Sequence, residues 1–139
     1  MMKSPEKVEN HITHWLKNYL NDSNMNGFIV GISGGIDSAV TSTLCAKTGH
    51  SVFCLEMPIL QDLNQDNRAK NHIGWLKKQF PNVSSHRLSL DKVFSSFRET
   101  LPPTKKNDEE FLSLANTRAR LRMTSLYYFA ALHGYLVAG

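Results

Sequence analysis

The sequence predicts an α/β fold: a parallel sheet with helices on both faces. Three observations carry this. Strand-like segments at residues 28–33, 51–57, 83–90 (which alternates only partly) and 135–138 are separated by segments of helical period. The first run is almost continuously apolar, which suits a strand covered on both sides. A glycine turn, Ser33-Gly34-Gly35, then joins it to a helix-like stretch. Strands separated by helices imply parallel pairing with right-handed crossovers.

Residues 5–20 read as the first helix. Val8, Ile12, Trp15, Leu16 and Tyr19 recur at three- and four-residue steps and make one apolar stripe. Ser4 suits the cap and Pro5 the first turn. Residues 21–27 form a polar turn, 28–33 the first strand and 38–47 the first crossover helix, closed by Gly49. The second strand, 51–57, is stopped by Pro58. Residues 62–66 are a loop or the start of a helix, and 67–80 continue it through Ala69, Ile73, Trp75, Leu76 and Phe80. The third strand spans 83–90, and a short helix over 91–100 carries Val93, Phe94 and Phe97. Residues 101–109, with two prolines, read as a loop. The longest helix covers 111–133, and 135–138 begins a fourth strand, where the sheet is expected to end.

A chain of 139 residues, 41% hydrophobic and 20% charged, is one domain's worth of globular protein. The net charge of +4 suits an anionic small molecule such as ATP. No run of five like charges exists, so a nucleic-acid partner is not expected. Cys45 and Cys54 stand at core-type positions and read as reduced thiols. Residues 1–20 lack an apolar signal core, and no stretch has the ~20 apolar residues that cross a bilayer. The expected location is the cytoplasm. His11 and His14 could share one helix face, but without a third ligand they read as surface residues.

The chemistry concentrates in Ser33-Gly34-Gly35-Ile36-Asp37-Ser38. The glycines let backbone N–H groups approach an anion with no Cβ in the way. The helix that follows aims its positive dipole end at the same place. Ser33 and Ser38 add hydroxyls, and no base stands near them in sequence to make either a nucleophile. A carboxylate at Asp37 would repel a phosphate unless a cation lay between them, so Asp37 is a candidate Mg²⁺ ligand. Neither the Walker A pattern nor G-x-G-x-x-G is present. An ordinary strand-to-helix turn, with Asp37 or Ser38 as its cap, is the competing reading.

Ser-Gly-Gly-x-Asp-Ser resembles the pyrophosphate loop of the N-type ATP pyrophosphatases. Leu114-Ala115-Asn116-Thr117-Arg118-Ala119-Arg120-Leu121-Arg122-Met123 is similar to the Asn-x-(Lys/Arg)-Ala-Arg-x-Arg-Met helix of bacterial ammonia-dependent NAD synthetases. Tyr135-Leu136-Val137-Ala138-Gly139 resembles the strand after that helix, and Leu55-Glu56-Met57-Pro58 the strand end with Leu-Pro. The resemblance runs from about residue 8 onward and implies a Rossmann-like, adenine nucleotide alpha hydrolase-like fold. It implies ATP contacts at Gly31, Ile32, Ser33, Gly34, Gly35, Ile36, Asp37 and Ser38, with adenine near residues 55–58 and Met57 among its contacts. Mg²⁺ would sit at Asp37. Asn116 and Arg120 are four apart and share a face, while Arg118 and Arg122 share another; the resemblance favours Asn116, Arg120 and Arg122 as contacts to deamido-NAD. The implied reaction is ATP-driven adenylation of deamido-NAD and displacement of AMP by ammonia, in a homodimer. That family's chain continues for about as many residues again. Residues 1–139 are therefore expected to be the N-terminal part of a single domain, a fragment or truncated product. The alternatives are another ATP pyrophosphatase, such as a tRNA-modifying one, and a non-catalytic nucleotide-binding fragment.

Overall fold

The computed structural model describes residues 4–139. Its elements follow in the order α1 (Pro5–Asp22), β1 (Gly27–Gly31), α2 (Ile36–Lys47), β2 (Ser51–Glu56), α3 (Leu63–Gln79), β3 (Val83–Arg87), α4 (Asp91–Thr100), α5 (Asp108–His133) and β4 (Tyr135–Val137). The four strands form one sheet in the order β3-β2-β1-β4, and every pairing is parallel. The order reverses between β1 and β4, which opens the crevice of a parallel sheet at their carboxyl ends.

Alternation within the strands feeds two cores. On one face Phe28, Val30, Val52 and Cys54 meet Leu20 of α1, Cys45 and Ala46 of α2, and Ala69, Ile73 and Leu76 of α3. On the other, Ile29 and Leu55 meet Phe94 of α4 and Leu126 and Ala130 of α5. Helices on both faces are thus what the apolar strands require. No helix among the described residues is long and apolar enough to cross a membrane.

Several boundaries depart from expectation for local reasons. The third ladder stops at Arg87 instead of residue 90. Leu88 N still donates to Glu56 O at 2.7 Å and Leu90 N to Pro58 O at 2.9 Å, but Pro58 has no N–H to return. Helix α3 begins at Leu63 because Asp62 caps it, accepting from Asn64 N at 2.7 Å and Gln65 N at 3.3 Å. Helix α5 begins inside the expected loop because the Asn107 side chain accepts from Glu110 N at 2.9 Å. It ends on Gly134, whose φ of 70° is the left-handed cap geometry.

The α1 stripe is the clearest correction. Leu20 is buried, yet Trp15 and Tyr19 are more than half exposed and stack on each other at 5.3 Å between centroids. Together with Ile12 and Leu16 they wall a groove of about 730 Å³ that runs along β4. Val93 and Phe97 of α4 are likewise exposed, and only Phe94 of that trio enters the core.

Cys45 and Cys54 are both fully buried, as expected. Burial pushes each thiol from its ordinary 9.0 to about 12. Neither should react with a thiol reagent at pH 8 in the folded chain, and both should react in urea; labelling followed by mass spectrometry reads this directly. The unfolded thiols ionise from about pH 9 while the folded ones stay neutral to about 12, so stability contributed by these groups is intact below 9.0 and declines across that window. Urea midpoints of the parent and a Cys45→Ala, Cys54→Ala double variant should therefore show a steeper alkaline fall for the parent.

Ile29 is fully buried between the sheet and α5, so Ile29→Ala should lose about 2–5 kcal/mol in urea unfolding.

Candidate functional site

The turn after β1 lies at the carboxyl end of the sheet, beside the β1/β4 crevice. Ile32 N is the last backbone donor held by the sheet, at 2.9 Å from Leu55 O. Ser33 N then donates to Ser38 Oγ at 3.2 Å, which starts the turn. Gly34 has φ +88°, and a Cβ placed on it would stand 2.4 Å from the Gln65 carbonyl oxygen. No other residue fits there. Ser33 Oγ lies 3.2 Å from Ser38 Oγ and accepts the Gly35 N–H at 3.2 Å.

Helix α2 begins two residues earlier than the sequence suggests, at Ile36, and its cap is Gly35 with no side-chain hydrogen bond. Asp37 and Ser38 therefore sit in the first turn and neither is the cap. The hydroxyls of Ser33 and Ser38 close the turn, but neither accepts from the first N–H groups of α2. The N–H groups of Ile36, Asp37 and Ser38 meet no acceptor among the described residues, and they point out of the helix's positive end. Asp37 is exposed in that turn. A carboxylate next to free N–H donors fits a metal-bound phosphate, because the cation joins two anions that would otherwise repel. Among the described residues no cluster of three metal-ligating side chains stands ready, so Asp37 would share its cation with the phosphate.

The loop is held from α3 and from the residue just before its cap. Gln61 and Gln65 donate Nε2 to Ser33 O at 3.1 and 3.0 Å, and Arg68 donates Nε to Gly34 O at 3.3 Å. Behind it, buried Ser42 of α2 lies 2.8 Å from His72 Nε2 of α3. Burial lowers the pKa of His72, which favours the neutral ring in this bridge. None of these five residues is a site candidate from sequence alone. The one available signal was spacing: Gln65, Arg68 and His72 recur at three and four residues on one face of α3, and Gln61 lies just ahead of its cap.

Met57, the expected adenine contact, is buried. Its side chain lies in the core beside Gly31, and its carbonyl accepts from Arg122 Nε at 3.0 Å. The carbonyls of Leu55 and Pro58 are also taken, by Ile32 N and Leu90 N. The exposed members of this segment are Leu60, at φ 48°, and the residues after it.

Arg122 is packed at the same place. It is half-buried against the end of β2, and burial, then the charge of Arg118, push its guanidinium below the usual range. Arg118 lies over the Phe94 ring at 5.6 Å. One arginine pair therefore faces the core side of α5, whereas Asn116 and Arg120 are exposed on another face. The two-face division of the helix holds, and Arg122 belongs with the packed face.

A family model described as NAD synthase matches residues 8–139. The chain belongs to the NAD synthase family. It is 34% identical, over its whole length, to the NH(3)-dependent NAD(+) synthetase of Malacoplasma penetrans, of which it covers 53%. It is 35% identical to the enzyme of the same name from Carboxydothermus hydrogenoformans, again covering 53% of that protein. Among solved structures, 98% of the chain superposes on 54% of the NMN synthetase of Francisella tularensis, with TM-score 0.84 and 30% identity. It superposes on 56% of the NH3-dependent NAD synthetase of Campylobacter jejuni with TM-score 0.82 and 27% identity. The chain thus spans about half the length of the NAD synthase relatives it matches.

Gly34 gives the sharpest test of the loop. Gly34→Ala must meet both the positive φ and the Gln65 carbonyl, whereas Gly49, at φ +81°, has nothing within 4 Å. Gly49→Ala should lose roughly 1 kcal/mol and Gly34→Ala clearly more, as compared by urea midpoints.

Proposed function

We propose that this chain supplies the nucleotide-binding, N-terminal half of an ammonia-dependent NAD synthetase, a ligase that forms a C–N bond. The observation that carries the proposal is the glycine-capped start of α2, with free N–H groups and Asp37 at the carboxyl end of β1. The family match over residues 8–139 supports it. The substrates are ATP, deamido-NAD and ammonia.

In this reading the Ser33–Ser38 loop receives the pyrophosphate end of ATP. The N–H groups of Ile36, Asp37 and Ser38 and the Ser33 hydroxyl stabilise its negative charge. Asp37 holds Mg²⁺, which when bound supplies further charge neutralisation. The nicotinate carboxylate attacks the α-phosphorus and pyrophosphate leaves. Ammonia then attacks the carboxyl carbon, AMP departs with the C–O bond, and loss of a proton leaves the amide. The chain's contribution is charge stabilisation and alignment, since among the described residues no acid–base pair stands at the loop. Asn116 and Arg120, exposed on α5, are the contacts for deamido-NAD, and the bidentate arginine fork suits its phosphates.

The partner is a second copy of the same protein. Met123, Tyr127, Tyr128 and Leu132 leave a face of α5 about half or more exposed, more apolar surface than a solitary helix usually shows to water.

Asp37→Ala should weaken Mg·ATP binding by about tenfold or more in calorimetric titration, and unchanged affinity would remove Asp37 from the metal site. Incubation with ATP, Mg²⁺, deamido-NAD and ammonia, followed by assay of NAD⁺, tests the reaction. These residues are expected to bind nucleotide without rapid turnover, since they span about half of each relative. NAD⁺ formation at the rate of a full-length relative would show that this half suffices. Failure to bind Mg·ATP would overturn the proposal. The similarity to an NMN synthetase makes the mononucleotide the first alternative substrate for the same assay.

A further inference from the structure

Three side-chain donors converge on two consecutive carbonyls of the loop. Gln61 and Gln65 both reach Ser33 O, at 3.1 and 3.0 Å, and Arg68 reaches Gly34 O at 3.3 Å. The peptides are trans, so each C=O and its N–H point in opposite directions. Drawing Ser33 O toward α3 turns the Gly34 N–H away from α3. Drawing Gly34 O the same way turns the Gly35 N–H away too. The Gly34 N–H then meets no acceptor among the described residues, and the Gly35 N–H meets only the Ser33 hydroxyl. Gly34 takes the left-handed φ of +88° and Gly35 is extended, at φ −91° and ψ 168°, so both N–H groups lie on the side of the loop away from the three side-chain donors.

A glycine pair left alone can turn its peptides over at little cost. Turned over, the two carbonyls would face the anion and repel it. Packing alone explains the contact of Gly34 with the Gln65 backbone, but it does not call for three donors on two carbonyls.

We propose that Gln61, Gln65 and Arg68 are positioning residues that hold the 33–35 peptides in the orientation that receives the pyrophosphate group. The proposal rests on the phosphate-loop reading above and adds what keeps the loop open to an anion. Gln61 and Gln65 act through hydrogen bonds alone. Arg68 acts in the same way and also brings a positive charge beside the loop backbone.

The test uses the whole chain, inorganic pyrophosphate with Mg²⁺, and AMP. In a Gln61→Leu, Gln65→Leu double variant, pyrophosphate affinity should fall about tenfold, two hydrogen bonds' worth, while AMP affinity changes less than about twofold. The Gly34 and Gly35 amide resonances should shift in the ligand-free variant. Arg68→Met should weaken pyrophosphate binding and Arg68→Lys, which keeps a donor and the charge, should restore much of it. If the double variant does not fold, the single Gln65→Leu and Arg68→Met variants carry the same comparison at a smaller factor. Unchanged pyrophosphate affinity in the variants, or equal losses for pyrophosphate and AMP, overturns the positioning role. Absence of pyrophosphate binding by the parent sinks the phosphate-loop reading instead; the positioning claim is then decided by the Gly34 and Gly35 amides, and unmoved resonances overturn it.

Discussion

Gly34 rests on the first turn of α3 so closely that a methyl group on it would overlap the Gln65 carbonyl. This contact couples the strand that carries the loop to the helix that supports it. The loop can leave β1 in a left-handed turn because nothing but hydrogen projects from Gly34. Helix α3 can stand that close because Asp62 satisfies its first N–H groups and Ala69, Ile73 and Leu76 seat it on the sheet. The start of α2 is then left with a glycine cap and free donors. A larger residue at position 34 would push these pieces apart and remove the concavity.

The other face of the sheet is arranged by α5. Leu126 and Ala130 fasten the helix under Ile29 and Leu55, and Arg122 ties it to the Met57 carbonyl. Each fully buried apolar side chain there contributes roughly 1.5–3 kcal/mol. At the ends of β2 and β3, Arg87 joins Glu56 at 3.0 Å and Asp66 at 2.7 Å, and this pairing holds the Asp66 carboxyl below the usual carboxylate range. Arg87 is exposed while the two carboxylates are largely covered, and such pairs at the protein surface fix geometry more than they add stability.

Most of the architecture was legible in the sequence because its signals are local. Phe28, Val30, Val52 and Leu55 announce buried strands by composition, and Gly34-Gly35 announces the turn. Helix starts were read less well. Asp62 and Asn107 act through single side-chain bonds to backbone N–H groups, and the run of apolar residues does not register them. The α1 stripe was legible as a pattern, but its periodicity could not tell that Trp15 and Tyr19 would face a groove instead of a filled core.

By itself the sequence determined the class of fold, the glycine turn between β1 and α2 and the division of the arginine helix into two faces, since each follows from short-range spacing and residue type. Only the tertiary structure decided that α2 is capped by glycine, that Met57 is inside and bonded to Arg122, and that Gln61, Gln65 and Arg68 grip the loop. The Arg122 bond and the grip on the loop depend on residues 28 to 65 positions apart being brought within hydrogen-bond reach. Such pairings are set by how the helices seat on the sheet, and no local pattern encodes that seating.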